Sequence, residues 1–415
     1  MREFAGSAAP HRFHLPAIVL VMSMGHLLAF IDRTKVAGVL PAIRAQIPMT
    51  DTAAAGVIGT AFAVAYVATL LVLAGRGGSR GWRWRLAAGL VVWGIASAVT
   101  GLAGTLPELL GARALLGVGQ ALFIPAALTA VVAISPTHAD RATNLSFFTA
   151  ASSLGRSVGL VAIGAALVLV QWLGLSGADQ AWRWSFLVTV VPNLLLLALL
   201  RTPRVGAAQS PAVDHHGAIV PLRVQVTFLF LALMPIMVIQ ATVGWLPTLL
   251  VAEFAITVQR ASLWAGTIVL LAGPTGQLAG GWLLRRLKPR GRIVPVVIVG
   301  AMVASLPGFL PIAAGSDMML AAIGMGWAYF VLGIAALAAL YGWQDHVPQQ
   351  TRLAGNGLYL ALITAVGVGL GPLLTGVIAD HVVSLPTALR QTALACTSLA
   401  LLAATLGLGK LRYRR

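Results

Sequence analysis

Four ionisable residues stand where an apolar chain tolerates them least. Asp32 and Arg33 lie side by side, and Arg113 and Arg156 stand alone, each inside a stretch built largely from Ala, Val, Leu, Ile and Gly. A charge at the centre of a membrane helix costs about 2.5–3.5 kcal/mol on insertion scales, so such residues usually face a bundle interior or a watery cavity and mark an ion or solute path. The planar fork of arginine suits carboxylate, sulfate or phosphate. Three guanidiniums against one carboxylate leave a positive site, which points to an anionic substrate or an amphipathic one with an anionic head. Arg113 and Gln120 are two helical turns apart, on one face and separated by about 10.5 Å. His26 precedes Arg33 by the same interval. Because histidine titrates near neutrality, His26 joins Asp32 as a candidate proton carrier.

Blander readings accompany each of these. Asp32 can pair permanently with Arg33 or Arg113 and only hold a bundle together. Arg156 can satisfy itself on a serine or a helix carbonyl. Arg33 and Lys35 can extend to the membrane interface, and for Lys35 that reading is preferred.

The elements that must position these residues are membrane helices. Hydrophobic residues make up 59% of the 415, and only 9% are charged, against about 25% in a soluble protein. Twelve apolar stretches approach or exceed the ~20 residues of a spanning helix: 15–43, 52–74, 84–104, 106–134, 143–173, 182–200, 225–250, 260–284, 293–314, 318–343, 354–379 and 388–409. No alternation of barrel type is visible. The first stretch is long for a signal peptide and lacks a cleavage site, so it is expected to remain. Of the 28 Lys and Arg, 20 then fall on one side, four on the other, and four inside spans. This asymmetry places both termini in the cytoplasm and accounts for most of the net charge of +17 without nucleic acid.

The spans form two related halves, which predicts an all-α membrane protein with two pseudo-symmetric six-helix bundles: 1–200, a cytoplasmic linker at 201–224, and 225–415. With a shift of 212, Pro136, Ala142, Asn144, Gly155, Gly159 and Gly164 fall on Pro348, Ala354, Asn356, Gly367, Gly371 and Gly376. With a shift of 206, Leu40–Pro41 falls on Leu246–Pro247, and Gly75 on Gly281. Parallel halves of this kind place a substrate site between them at mid-membrane, opened alternately to each side by rocking. The Gly155/Gly159 and Gly367/Gly371 pairs are expected at the sliding seam. His215–His216 in the linker lacks a third metal ligand.

The motifs are specific enough to carry a resemblance. Phe30-Ile31-Asp32-Arg33, Ala61 to Tyr66, Arg113 through Gly117, Gly119 and Gln120 to Pro125-Ala126, Trp182 to Phe186, Gly244-Trp245-Leu246-Pro247-Thr248 and Gly369 to Asp380 resemble the major facilitator superfamily over nearly the whole chain. Within it they look most like the organic anion:cation symporters and the spinster-type lipid transporters. The resemblance implies a conformational loop after span two, with its repeat in the second half. Here Ser79 and Arg285 replace the usual acids, leaving Arg80, Arg83 and Arg286. It also implies a glutamate seven residues after Arg113, where this chain has Gln120, an amide that cannot titrate.

The expected function is a secondary transporter of the inner membrane. It moves a small organic anion or anionic amphipathic metabolite by alternating access coupled to protons, as a monomer within the lipid bilayer. Substrate contacts are expected from Arg113, Arg156, Arg33, Gln120, Tyr66, Gln240, Asn356 and Tyr359, and proton coupling from Asp32 and His26. The alternatives are an exporter of lipid-like or drug-like compounds and a non-transporting sensor. No cofactor is called for: a nucleotide loop is absent from the sequence, the single Cys396 excludes multi-cysteine metal sites, and no catalytic constellation suggests an enzyme.

Overall fold

The computed structural model describes residues 16–75, 82–134, 138–174, 180–200, 221–287, 293–315, 317–346 and 358–408. Among them there is no strand, and twelve helices are long and apolar enough to cross a membrane. With no water to satisfy backbone groups, a chain of this composition closes every hydrogen bond within its helices.

In the first half, α1 is Ala17–Gln46, and α2 joins Asp51–Ala55, Gly56–Thr60 and Ala61–Gly75. They are followed by α3 (Trp82–Leu102), α4 (Leu106–Ala133), α5 (His138–Trp172) and α6 (Ala181–Leu199). In the second half come α7 (Leu222–Phe254), α8 (Val258–Leu287), α9 (Ile293–Ala313), α10 (Met318–His346), α11 (Leu358–His381) and α12 (Leu385–Leu408). Helix α7 begins at Leu222, slightly before its expected start, and α1 runs through Pro41 to Gln46. The predicted linker up to residue 220 lies outside the described residues, as do His215–His216, Ser79, Arg80 and Asn356.

The sequence offsets reappear as contacts. A β-carbon on Gly155 would stand 2.4 Å from the Leu27 carbonyl oxygen and 2.9 Å from Cβ of Phe30, and one on Gly159 would stand 3.1 Å from Cα of Ile31. In the second half, Gly367 lies as tightly on Ile236, and Gly371 on the Met237 carbonyl at 2.6 Å. Phe30 and Ile31 shifted by 206 are Ile236 and Met237, so α11 packs on α7 as α5 packs on α1. These glycines therefore do not sit at the seam, as expected from the sequence, but bind helices within each half. Their bare backbones let the helix axes approach closely.

The seam uses other glycines. Gly164 of α5 meets Gln259 and Leu263 of α8, and Gly376 of α11 meets Asp51 and Thr52 of α2. Two π-helical segments face one another there: Gly56–Thr60 in α2 and Ile363–Leu370 in α11. A β-carbon on Gly59 would fall 2.1 Å from the Val368 carbonyl oxygen, and the Thr60 hydroxyl donates to the Gly369 carbonyl at 2.8 Å. The Asp380 carboxylate accepts from the backbone N–H groups of Asp51 (2.8 Å) and Thr52 (2.7 Å). These are orphan donors at a helix start, where the helix dipole also favours an anion. Arg44 closes the cluster through its ion pair with Asp51 at 2.5 Å. Ser262 of α8 donates to the Gly38 carbonyl of α1 at 2.7 Å. The halves are thus clamped at the end of the bundle that carries the turns after α1, α7 and α11.

Candidate functional site

Next to this clamp, a narrow cavity of about 40 Å³ lies between the halves. Its wall comes from Phe30, Arg33, Thr34 and Ala37 of α1, Ile58 and Phe62 of α2, Arg113 of α4 and Arg156 of α5. The second half adds Gln240, Val243 and Gly244 of α7 and Val368 and Pro372 of α11. Arg33, Arg113, Arg156 and Gln240 are therefore brought together, as the sequence led us to expect. Among the described residues, no acidic one lines the cavity.

The arginines are held differently. Arg113 is 1% exposed. Its Nε donates to the Val57 carbonyl (2.9 Å), its Nη1 to Asp32 (3.3 Å), and its Nη2 to Arg33 (3.3 Å) and Ile58 (3.2 Å), all backbone oxygens. The Val57 and Ile58 carbonyls come from the π turn of α2, where the Ala61 N–H bonds back to Gly56. Such turns are frequent at functional sites. Arg113 is thereby a brace that ties α4 to α1 and α2.

Arg33 is caged by aromatic rings. Its guanidinium carbon lies 4.7 Å from the Phe30 centroid, 4.5 Å from Phe62 and 5.2 Å from Tyr66. Its Nε donates to Gln120 Oε1 at 2.6 Å, and Gln120 Nε2 donates to the Ala29 carbonyl at 3.1 Å. The spacing of seven on α4 thus reads the 29–33 segment of α1 at two points: Gln120 orients Arg33, and Arg113 holds its backbone. Arg33 Nη2 is enclosed with no hydrogen-bond partner among the described residues. Arg156 lies 5.2 Å from the same Phe30 centroid, and both arginines line the cavity. Gln240 Oε1, across the cavity, also lacks a partner.

Asp32 belongs to a different cluster. Its Oδ1 is 2.5 Å from Lys35 Nζ, and its Oδ2 accepts from Trp93 Nε1 (2.5 Å) and Ser97 (3.2 Å). Both ions are 2% exposed. Lys35 does not reach the interface. It stands at i+3 from Asp32, donates to Thr189 at 2.5 Å and the Ser185 carbonyl at 3.4 Å, and lies over the Phe186 ring. Neither Arg33 nor Arg113 is the ion-pair partner of Asp32, because α1 turns Asp32 toward α3 and α6 and away from the cavity. His26 is equally committed: its Nδ1 bonds the Phe148 carbonyl at 2.7 Å, and its ring stacks on Phe148 at 4.1 Å.

The remaining candidates lie outside the cavity wall. Tyr66 stacks on Phe62 and supports Arg33 from behind, while Tyr359 stacks on Trp343 at 5.7 Å. Arg83 is exposed at the start of α3, and Arg286 lies over Trp282 at 4.7 Å. Sequence reasoning missed the aromatic cage, although Phe30 stood inside a motif, and missed the Asp380 clamp. The i+3 spacing of Asp32 and Lys35 was a readable signal for their pair.

The fold is shared with known proteins. A crystal structure of a bacterial homologue of the human lysosomal transporter Spinster, inward-facing and occupied, superposes with a TM-score of 0.73 at 18% identity, covering 94% of this chain and 95% of that one. At that identity the likeness speaks for the fold. The uncharacterised MFS-type transporter EfpA of Mycobacterium tuberculosis is 31% identical over 51% of this chain, which spans 37% of the length of that relative. The 3-(3-hydroxy-phenyl)propionate transporter of Escherichia coli is 29% identical over 69% of this chain and 68% of its own length. The sequence pattern of the Major Facilitator Superfamily matches residues 22–372, and with twelve spans folded in this way the chain belongs to that superfamily.

Proposed function

We propose that this protein is a secondary transporter that carries a small organic anion across an inner membrane by alternating access. The observation that carries the reading is the cavity between the halves, whose described wall residues include Arg33, Arg113 and Arg156 and no acid. Buried guanidiniums without a counter-ion are costly, and an anionic ligand removes that cost. Arg33 and Arg156, both in the wall, are the residues offered to it. Phe30, Phe62, Val243 and Val368 form the apolar side of the wall and suit a carbon skeleton. An aromatic carboxylate, the substrate named for the Escherichia coli relative, has this chemistry.

The charge asymmetry supports cytoplasmic termini. The clamped end then faces outward. Proton coupling finds little support: Asp32 and His26 are bonded elsewhere, and the described residues of the wall include no histidine or carboxylate. The test is binding of 3-(3-hydroxyphenyl)propionate to purified protein, followed by uptake into proteoliposomes. Saturable binding that a neutral amide analogue does not displace is expected. Equal binding of the amide would sink the anion reading in favour of a carrier of amphipathic compounds.

A further inference from the structure

Alternating access requires the cavity to be closed at both ends at some moment, whether it is loaded or empty. The two closures are electrostatically unequal here. The loaded cavity holds an anion among guanidiniums. The empty one holds Arg33 and Arg156 with no fixed acid among the described residues of the wall. The nearest carboxylate on the same helix, Asp32, is neutralised by Lys35 at 2.5 Å and bonded by Trp93 and Ser97. Gln120, bonded to Arg33 at 2.6 Å, supplies a dipole but no charge. Gln240, which reaches the wall from the other half, is likewise neutral. Water offsets the cations while the cavity is open, and closing expels it. The empty carrier therefore faces a larger barrier to switching than the loaded one.

From this we infer that the protein is an anion exchanger: it switches with an anion aboard in each direction and returns empty only slowly. The inference rests on the anion reading above and adds the mode of transport. The driving force is the gradient of the counter-anion, and no proton is consumed.

The experiment uses the full chain in proteoliposomes with labelled 3-(3-hydroxyphenyl)propionate, and with labelled succinate as a doubly charged probe. Binding of each probe to the purified protein is measured first. Uptake is then compared between vesicles preloaded with the unlabelled probe and vesicles without it. Preloading is expected to raise the initial rate at least about tenfold, the ratio that a ~1.4 kcal/mol difference between the two switching steps gives. An imposed pH gradient leaves the rate unchanged. Gln240→Glu places a fixed carboxylate in the wall at an atom that now lacks a partner. It is expected to bring the ratio close to one by speeding the empty return. Probes that bind but enter empty and preloaded vesicles equally fast would overturn exchange and leave the anion reading standing. So would uptake into empty vesicles that follows an inward proton gradient. Probes that fail to bind at all would take down both.

Discussion

Arg33 and Arg113 look equivalent in the sequence and are not equivalent in the molecule. Arg113 spends its donors on four backbone carbonyls, whereas Arg33 keeps one nitrogen unpaired. Arg33→Gln is expected to weaken anion binding by roughly ten- to a hundredfold, the equivalent of about 1.5–3 kcal/mol for a charged hydrogen bond, with little change in melting temperature. Arg33→Lys should not rescue it, since lysine lacks the Nε donor that Gln120 holds. Arg113→Gln should instead lower the melting temperature in detergent, because it strands carbonyls of α1 and α2. A second prediction concerns Asp32. Asp32→Asn leaves Lys35 buried and unpaired, a loss of about 3–5 kcal/mol, and Lys35→Met in the same chain should recover most of it. Transport per folded molecule should be unaffected by that double change; a lost response to pH would restore Asp32 as a proton carrier. The positions of all these charges were legible in the sequence. Their directions were not, because helical spacing fixes a face only relative to its own helix. Which neighbour each face meets depends on the packing of the other eleven.

At the scale of elements, two π-helical segments meet where α2 and α11 close one end of the cavity. Neither segment was visible in the sequence, since a π turn leaves no periodic signal over five to eight residues. The glycines were visible, and the repeat offsets they revealed reappear in the packing of α5 on α1 and α11 on α7. What misled was their assignment to the seam, because a small-residue pair marks a close approach without naming the partner. Gly59→Ala is expected to prevent closure at the clamped end, as its β-carbon would strike the Val368 carbonyl. A cysteine introduced at Ala37 in the cavity wall should then be labelled by an impermeant maleimide added from that side, while the buried Cys396 stays silent. Asp380→Ala removes the acceptor for the first two N–H groups of α2 and should shift labelling the same way by a few-fold. Unchanged labelling in both variants would mean that this end is not a gate.

For the whole molecule, charge is distributed on three levels that serve different ends. The excess of Lys and Arg between the spans is expected to orient the chain, the buried Asp32–Lys35 pair is neutral, and the cavity wall is cationic. Composition alone disclosed the first level, the twelve spans and the pairing of halves. It could not separate the second from the third, because Lys35 and Arg33 are two residues apart on one helix. Gln120 decides how far the third level extends. Gln120→Glu would set a titratable group against Arg33, so anion binding should become pH-dependent, weakening as pH rises and the new carboxylate ionises. The most direct test of the central claim is calorimetric titration of 3-(3-hydroxyphenyl)propionate into the purified parent and an Arg33→Gln, Arg156→Gln double variant. Saturable binding to the parent and none to the folded double variant is the predicted result; equal affinity in the two would contradict it.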